Sequence, residues 1–392
     1  AAHQHEAAAV PVPDITAPRH EQASTQQVFG QILNELGRGK SELAAALVTT
    51  SPDVTVSTNL GGWVNQRGLF NRHERPDIFR EENVASVQKW SRSTTGQHFE
   101  LGIAENNLFL MLSALGLSEP LFGARLLPVG TLYDPFVNRG LDALNYACYQ
   151  DARFMVVGTP AGITLAAEGG AHQSVNTPLV GMSMPGLSYF EPAYADELAA
   201  IMEWSFRHMQ DPAGGAIYLR LSTRTIAQPE RTLSAADRDA IVTGAYWRRE
   251  PAKNAELAIV YAGAVAPEAM AAHETLLEDI PGAGLMAVTS PDRLHDDWLE
   301  AKKRRRNGER DASALIETML GQLAPDAVLI TVIDGHPTAL SWLGAVGSQK
   351  VSALGVDHFG QSGDIQDLYS CMGIDEDAII DAAASACLRR LP

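Results

Sequence analysis

The stretch from Gln97 to Leu117, Q-H-F-E-L-G-I-A-E-N-N-L-F-L-M-L-S-A-L-G-L, sets the tightest limit on how this chain can fold. A short strand-like lead-in is followed by one acidic residue, Glu105. A helix pattern comes next, in which only Ser113 is polar between Leu108 and Leu117. Such a helix is expected to be buried on all sides. Helix entries favour negative charge because their first N–H groups lack partners. A carboxylate at the mouth of a buried helix must be paired, coordinated or partly protonated. Glu105 therefore reads in two ways: as a carboxylate that merely satisfies backbone N–H groups, or as a group with a chemical task.

Short apolar runs alternate with helical patterns on both sides of this stretch. Ser24 is a candidate N-cap for a helix running to Gly37. P-L-F-G-A-R-L-L-P-V and R-F-M-V-V-G-T read as strand segments, with a helix after Pro135 between them. Pro160–Ser174 is rich in Gly and Ala and reads as a loop. Asp196–Met209 is an amphipathic helix, and Ala216–Leu221 is a strand. Arg80–Trp90 is polar and carries little pattern. A second series follows Gln228–Arg238, with strands at Leu257–Gly263, Gly284–Thr289, Ala327–Asp334 and Lys350–Val356. Its helices are Pro267–Glu278 and a closing one at Asp375–Arg389. Continuous apolar strands alternating with helices indicate parallel sheets covered on both faces. The expected fold class is α/β, with two doubly wound domains of mainly parallel sheet. The expected division is a linker-like segment 1–23, a first domain 24–235 and a second 236–392. No internal repeat is present.

The formal net charge of −17 argues against non-specific binding to nucleic acid or to an anionic membrane surface, since both require excess Lys and Arg. No apolar run reaches the length of a membrane span. The three cysteines, Cys148, Cys371 and Cys387, are widely spaced and form no metal or CxxC pattern, so buried thiols in a reducing, cytoplasmic compartment are expected. The run Lys302-Lys303-Arg304-Arg305-Arg306 stands out in so acidic a chain. It reads either as a solvated loop between helices or as a docking site for an acidic partner.

Three clusters in the first unit could carry chemistry. The first is Glu105. The second is Tyr133-x-x-Phe136 with Asn138, Arg139 and Asp142; two aromatics three apart share a helix face and serve either as core or as a ligand platform. The third is Glu168-Gly-Gly-Ala-His172-Gln, where a histidine sits in a loop with little to bury it. GxGxxG after a strand, GxxxxGK[ST], GxSxG and HExxH are all absent. Asp334-Gly335-His336 lacks the first Gly of a GDG diphosphate motif, and no Asn follows at the expected distance, so it reads as a strand-end turn.

Taken in order, these segments resemble a known family. G-I-A-E-N-N with its apolar helix, Y-D-P-F-V-N-R-G-L-D, and A-G-I-T-L-A-A-E-G-G-A-H-Q resemble the catalytic-glutamate, aromatic and histidine segments of thiamine-diphosphate enzymes of the transketolase superfamily. M-S-M-P-G-L-S-Y-F-E-P-A-Y-A-D-E-L and A-L-G-V-D-H-F-G-Q-S-G-D-I-Q-D-L are similar to the homodimeric type of pyruvate dehydrogenase E1 component. The resemblance spans about residues 10–390.

It implies a pyrimidine-binding (Pyr) domain followed by a transketolase C-terminal domain. The diphosphate-binding (PP) domain with its GDG…N magnesium motif normally precedes them, and the linker-like start is read as following it. The implied catalytic residues are Glu105, which exchanges a proton with the cofactor's aminopyrimidine, and His172, which faces the reacting carbonyl. Phe136 would stack on the pyrimidine with Tyr133 beside it, and Arg139 and Glu168 would lie around the cofactor or at the interface. The implied cofactors are thiamine diphosphate and Mg²⁺, the latter held mainly by the PP domain. The chain is then either the second subunit of a split enzyme or a fragment of a longer one; the implied partners are a PP-domain subunit in an α2β2-like assembly and a lipoyl-bearing E2. Arg224, in L-S-T-R-T, is displaced by one position from the phosphosugar-binding arginine of transketolases, which weakens phosphosugar recognition without excluding it; the E1-like segments favour pyruvate or another small 2-oxo acid. A split transketolase, a deoxyxylulose-phosphate synthase-like enzyme and a non-catalytic E1-like scaffold are the alternatives.

Overall fold

The computed structural model describes residues 5–73, 78–86 and 88–388, with backbone alone for Phe79 and Arg80. Residues 1–4 of the N-terminal segment, Val87 and the Arg80 side chain in the polar stretch, and Arg389 of the closing helix lie outside the described residues.

The charge-poor runs form strands because each can bury both faces. The larger sheet has eight strands, all paired in parallel. In spatial order they are Arg92–Ser93, Leu69–Phe70, His98–Glu100, Leu47–Ser51, Leu127–Leu132, Met155–Gly158, Ala216–Arg220 and Leu187–Phe190. Its two faces are separately packed. Val129, Met155, Val157, Ile217 and Leu219 meet the helices Thr25–Arg38 and Ala195–His208 in one core. Val156, Tyr218, Leu187 and Tyr189 meet Glu105–Gly116 and Leu141–Tyr149 in the other. A slip of one residue would exchange the two faces, and each fully buried aliphatic side chain contributes about 1.5–3 kcal/mol, so the register is firmly held.

The second sheet has the order Ala245–Arg249, Gly284–Val288, Ala255–Ala262, Leu323–Ile333, Lys350–Leu354. Only its first strand runs antiparallel. The helices Ala266–Leu276 and Glu376–Leu388 cover one face, and Pro291–Arg306 and Leu315–Leu320 cover the other. The two halves are joined beside the edge strand Leu187–Phe190. Ser290 Oγ donates to the Tyr189 carbonyl at 2.6 Å, and Asp292 Oδ2 accepts from the Tyr189 N–H at 2.9 Å.

Four expectations are corrected. The helix Glu105–Gly116 is not buried all round: Asn106, Asn107, Leu110 and Ala114 are exposed, because it lies on the outer face of a sheet rather than between layers. The segment after Pro135 is a 3₁₀ turn, Asp134–Gly140, that becomes an α-helix only at Leu141. The cysteines are not all buried, since Cys371 is exposed and Cys148 and Cys387 are half-buried. The basic run is the last turn of a helix, not a loop. The linker-like composition near the N-terminus also conceals packing. Ile15 is buried, its N–H reaches Glu203, and Gln22–Ala23 pairs with Ile226–Ala227.

Candidate functional site

Three strand ends build the site. Glu105 follows His98–Glu100, Tyr133 follows Leu127–Leu132, and the histidine loop follows Met155–Gly158. All three lie at the carboxyl edge of a parallel sheet, where open α/β folds bind ligands. Sequence-distant groups thereby meet.

Glu105 is the first residue of its helix and is 8% exposed. Its Oε1 accepts from Arg139 Nη1 at 2.5 Å. The Arg139 guanidinium carbon lies 3.7 Å from the centroid of the Phe136 ring. Phe136 and Tyr133 stack at 6.0 Å with an interplanar angle of 17°. The His172 ring stands edge-on to both, 5.5 Å from Phe136 and 5.9 Å from Tyr133. Glu168 Oε2 is 3.6 Å from His172 Nδ1. The six residues singled out in the sequence thus form one continuous series of contacts: Glu105, Arg139, Phe136, Tyr133, His172, Glu168. Asn138 bonds Asn176 at 3.1 Å beside it.

The histidine loop is held from two sides. Ser174 Oγ accepts from the Gly162 N–H at 2.9 Å and donates to Asp134. From the second half of the chain, the Gln361 carbonyl accepts from Gln173 Nε2 at 3.1 Å. Gly169, at φ +79°, and Gly170 leave no space for a β-carbon: one would come within 2.5 Å of Ser362 Oγ and of the Gly360 carbonyl oxygen, respectively. The positive φ at Gly169 and the close approach of the Gly360 backbone at Gly170 explain the paired glycines.

A buried polar network beneath the site was not anticipated. Asp134, between the two aromatics, is fully buried and accepts from Ser174, Thr177, Tyr218 and Arg220. Arg220 also pairs with Glu191 at 2.8 Å through both carboxylate oxygens and donates to the Asp334 carbonyl at 2.9 Å. Burial acts to lower the Arg220 pKa, but the Glu191 and Asp134 carboxylates outweigh it and hold the guanidinium charged. Burial pushes the Asp334 carboxyl up to about 6, opposed by Arg220. Its Oδ1 accepts from the Ile163 N–H at 2.9 Å, tying the second half to the histidine loop. One sign of this network was available in the sequence: Arg220 ends an otherwise apolar strand, and a charge there needs a partner.

Two other candidates separate from the site. Arg224 is locked in a two-pronged pair with Glu268 and lies 4.8 Å over the Tyr369 ring. The basic run is largely met by its own chain: Lys302 sits 4.1 Å over Trp298, Lys303 faces Glu300, Arg304 pairs with Glu309, and Arg305 grips Glu317. Among the described residues no group of three or more His, Cys, Asp or Glu side chains converges as a metal site. Among them, too, no helix is long and apolar enough to cross a membrane.

A doubly wound sheet with a buried carboxylate, two stacked aromatics and a histidine loop at its carboxyl edge places the chain in one class, that of open α/β domains. The particular family follows from comparison. Residues 21–225, more than half of the chain, match the family "Transketolase, pyrimidine binding domain", and the chain belongs to it. Pyruvate dehydrogenase E1 component of Pseudomonas aeruginosa is 25% identical over 94% of this chain and 42% of its own length. That of Mycolicibacterium smegmatis is 28% identical over 72% of this chain and 31% of its own length. This chain therefore spans less than half the length of these curated relatives. Among solved structures, transketolase from Leishmania mexicana superposes with a TM-score of 0.70 at 17% identity, over 95% of this chain and 47% of that one. A structure described as a split-gene transketolase, inactive beta4 tetramer, superposes with a TM-score of 0.61 at 18% identity, covering 93% of this chain and 99% of that one.

Proposed function

We propose that this chain supplies the pyrimidine-side half of a thiamine-diphosphate enzyme acting on a 2-oxo acid, pyruvate first, and passing the acyl group to a lipoyl-bearing acceptor. The observation that carries the reading is the contact series from Glu105 to His172. Its residues fit an aminopyrimidine on a physical test: a flat cation bearing N–H groups, the Arg139 guanidinium, already lies between the Phe136 ring and the Glu105 carboxylate. When bound, thiamine diphosphate supplies the carbon nucleophile that opens a 2-oxo acid to decarboxylation.

This chain's own residues have separate tasks. Glu105, in the first turn of its helix, accepts and returns a proton at the pyrimidine edge. Phe136 and Tyr133 orient the ring by stacking. His172, steered by Glu168 and the clamped loop, donates a proton or hydrogen bond to the substrate carbonyl. The diphosphate and its Mg²⁺ fall to a PP-domain partner chain in an α2β2-like assembly.

A split transketolase is the second reading, favoured by the near-complete overlap with the split-gene structure. Against it, Arg224 has its donors committed to Glu268 and Ala264 rather than free for a sugar phosphate. A non-catalytic scaffold is the third reading, and the intact contact series argues against it. The test is co-purification with the partner chain, followed by assay of the complex on pyruvate with a lipoyl domain and on xylulose 5-phosphate. Turnover by this chain alone would defeat the half-enzyme reading, and turnover of xylulose 5-phosphate only would replace the E1 reading with transketolase.

A further inference from the structure

Arg139 has an unexpected place for a cofactor-side residue. One face of its guanidinium covers Phe136 at 3.7 Å, while Nη1 donates to Glu105 Oε1 at 2.5 Å. Those are the platform and the carboxylate that the proposed function assigns to the aminopyrimidine. A guanidinium is planar, delocalised and rich in N–H donors, so it can satisfy both groups at once where a lysine could not.

We propose that Arg139 is a gate that stands in for the pyrimidine ring, keeping the Glu105–Phe136 site closed until the cofactor displaces it. The inference rests on the pyrimidine reading above. Three observations support it. The carboxylate is almost fully buried, so without a partner it would bear a desolvation cost. The Arg139 side chain is itself about half exposed, with relative accessibility of 51%, so it can swing to solvent without breaking a core. No other charged partner of Arg139 competes with Glu105 among the described contacts.

The arithmetic follows from competition. If Arg139 covers the site for most of the time, the apparent dissociation constant of a pyrimidine ligand exceeds the intrinsic one by the reciprocal of the open fraction. A half-exposed ion pair and a cation–π contact are each modest, which sets the closed-to-open ratio at roughly three to ten. The gate weakens binding of free cofactor, and it spares an unassembled chain a nearly buried carboxylate without a counter-charge.

The test uses the full chain and two probes without a diphosphate: thiamine, and the neutral 4-amino-5-hydroxymethyl-2-methylpyrimidine. Neither needs the partner's Mg²⁺. Dissociation constants are measured by ligand-observed NMR for wild type, Arg139→Ala and Arg139→Lys, with thermal scans confirming that each variant folds. The gate predicts that Arg139→Ala binds both probes roughly three- to tenfold more tightly, with Arg139→Lys in between. Equal or weaker binding by Arg139→Ala overturns it, because Arg139 would then be idle or would hold the ligand. Tighter binding of thiamine alone also overturns it, since that pattern is simple repulsion between two cations. If no variant binds either probe, and Glu105→Gln and Phe136→Ala are indistinguishable from wild type, the pyrimidine reading itself falls and the gate with it.

Discussion

Arg220 Nε donates to Asp134 Oδ2 at 3.0 Å, and both side chains are completely shielded from solvent. Asp134 is the residue between Tyr133 and Phe136. Its neighbours face the candidate site while it points into the protein. The pair therefore anchors the aromatic platform to the end of the strand Ala216–Arg220, and through Ser174 to the histidine loop. The same guanidinium meets Glu191 and the Asp334 carbonyl, so one buried cation joins the platform, the loop and the second half of the chain.

Removing that cation should be costly. Arg220→Met leaves Asp134 and Glu191 buried without their counter-charge. Breaking a buried pair by deleting one partner typically costs about 3–5 kcal/mol. Equilibrium urea denaturation of the two proteins should show a loss of this order. A loss below about 1 kcal/mol, a value usual for exposed pairs, would show that the network is not under strain from burial.

His172→Gln should separate chemistry from binding. The side chain touches both aromatic rings but lies outside the Glu105–Arg139 pair. In the assembled enzyme, kcat should fall by about 10²–10⁴, the usual range for a lost proton donor, with cofactor affinity changed far less. A loss confined to cofactor affinity would reassign His172 to the platform.

The alternation of apolar runs with helical patterns made the central strands legible, because strands buried on both faces are mostly apolar, whereas Leu69–Phe70, Arg92–Ser93, Leu187–Phe190 and Ala245–Arg249 carry no such signal. From periodicity and spacing the six site residues were legible only as types, and it was the family resemblance that grouped them. Nothing local to Glu105 says that Arg139, thirty-four positions on, closes over it. That contact exists only because successive strands of a parallel sheet present their carboxyl ends together. The helix after Glu105 misled for a related reason. Leu110 looks like core in the sequence but is 53% exposed, since periodicity cannot tell a helix between two layers from one on an outer face. The basic run misled in the opposite way, its charges being met by Glu309 and Glu317 from the turn and helix beyond it.

Stability should respond to pH through two opposed groups. Burial lowers the His98 pKa to about 3, its ring nitrogens facing Thr49 and Thr55. As pH falls from about 6.5, the unfolded chain takes a proton that the folded chain refuses, so stability is lost on acidification. Burial raises Asp292 to about 7, opposed by hydrogen bonds from the Tyr189 N–H and Ser290 and by Arg293. Here the folded chain keeps a proton that the unfolded chain has released, so stability is lost as pH rises from about 4 to 7. Asp292→Asn should gain stability relative to wild type across that rise, and His98→Gln should close its deficit toward acid. Urea midpoints at several pH values would check both; parallel curves for wild type and Asp292→Asn would show that the carboxyl is ionised throughout.

Glu105→Gln is the decisive variant for the chemistry. The amide keeps the size of the side chain and its ability to accept from Arg139, but it cannot hold and return a proton. Helix entry and packing of Leu108, Phe109 and Leu112 are unaffected, so thermal stability should stay within about 1 kcal/mol of wild type. Cofactor binding should persist, because Phe136 and Tyr133 still offer the stacking face. Exchange of the thiazolium C2 proton into deuterated solvent, followed by rapid-quench NMR on the assembled enzyme, should slow by about 10²–10⁴. A uniform loss of binding with unchanged exchange per bound cofactor would mean that Glu105 only holds the ring. Unchanged binding and exchange together would remove it from the site and return it to the plainer role of a carboxylate satisfying the first N–H groups of its helix.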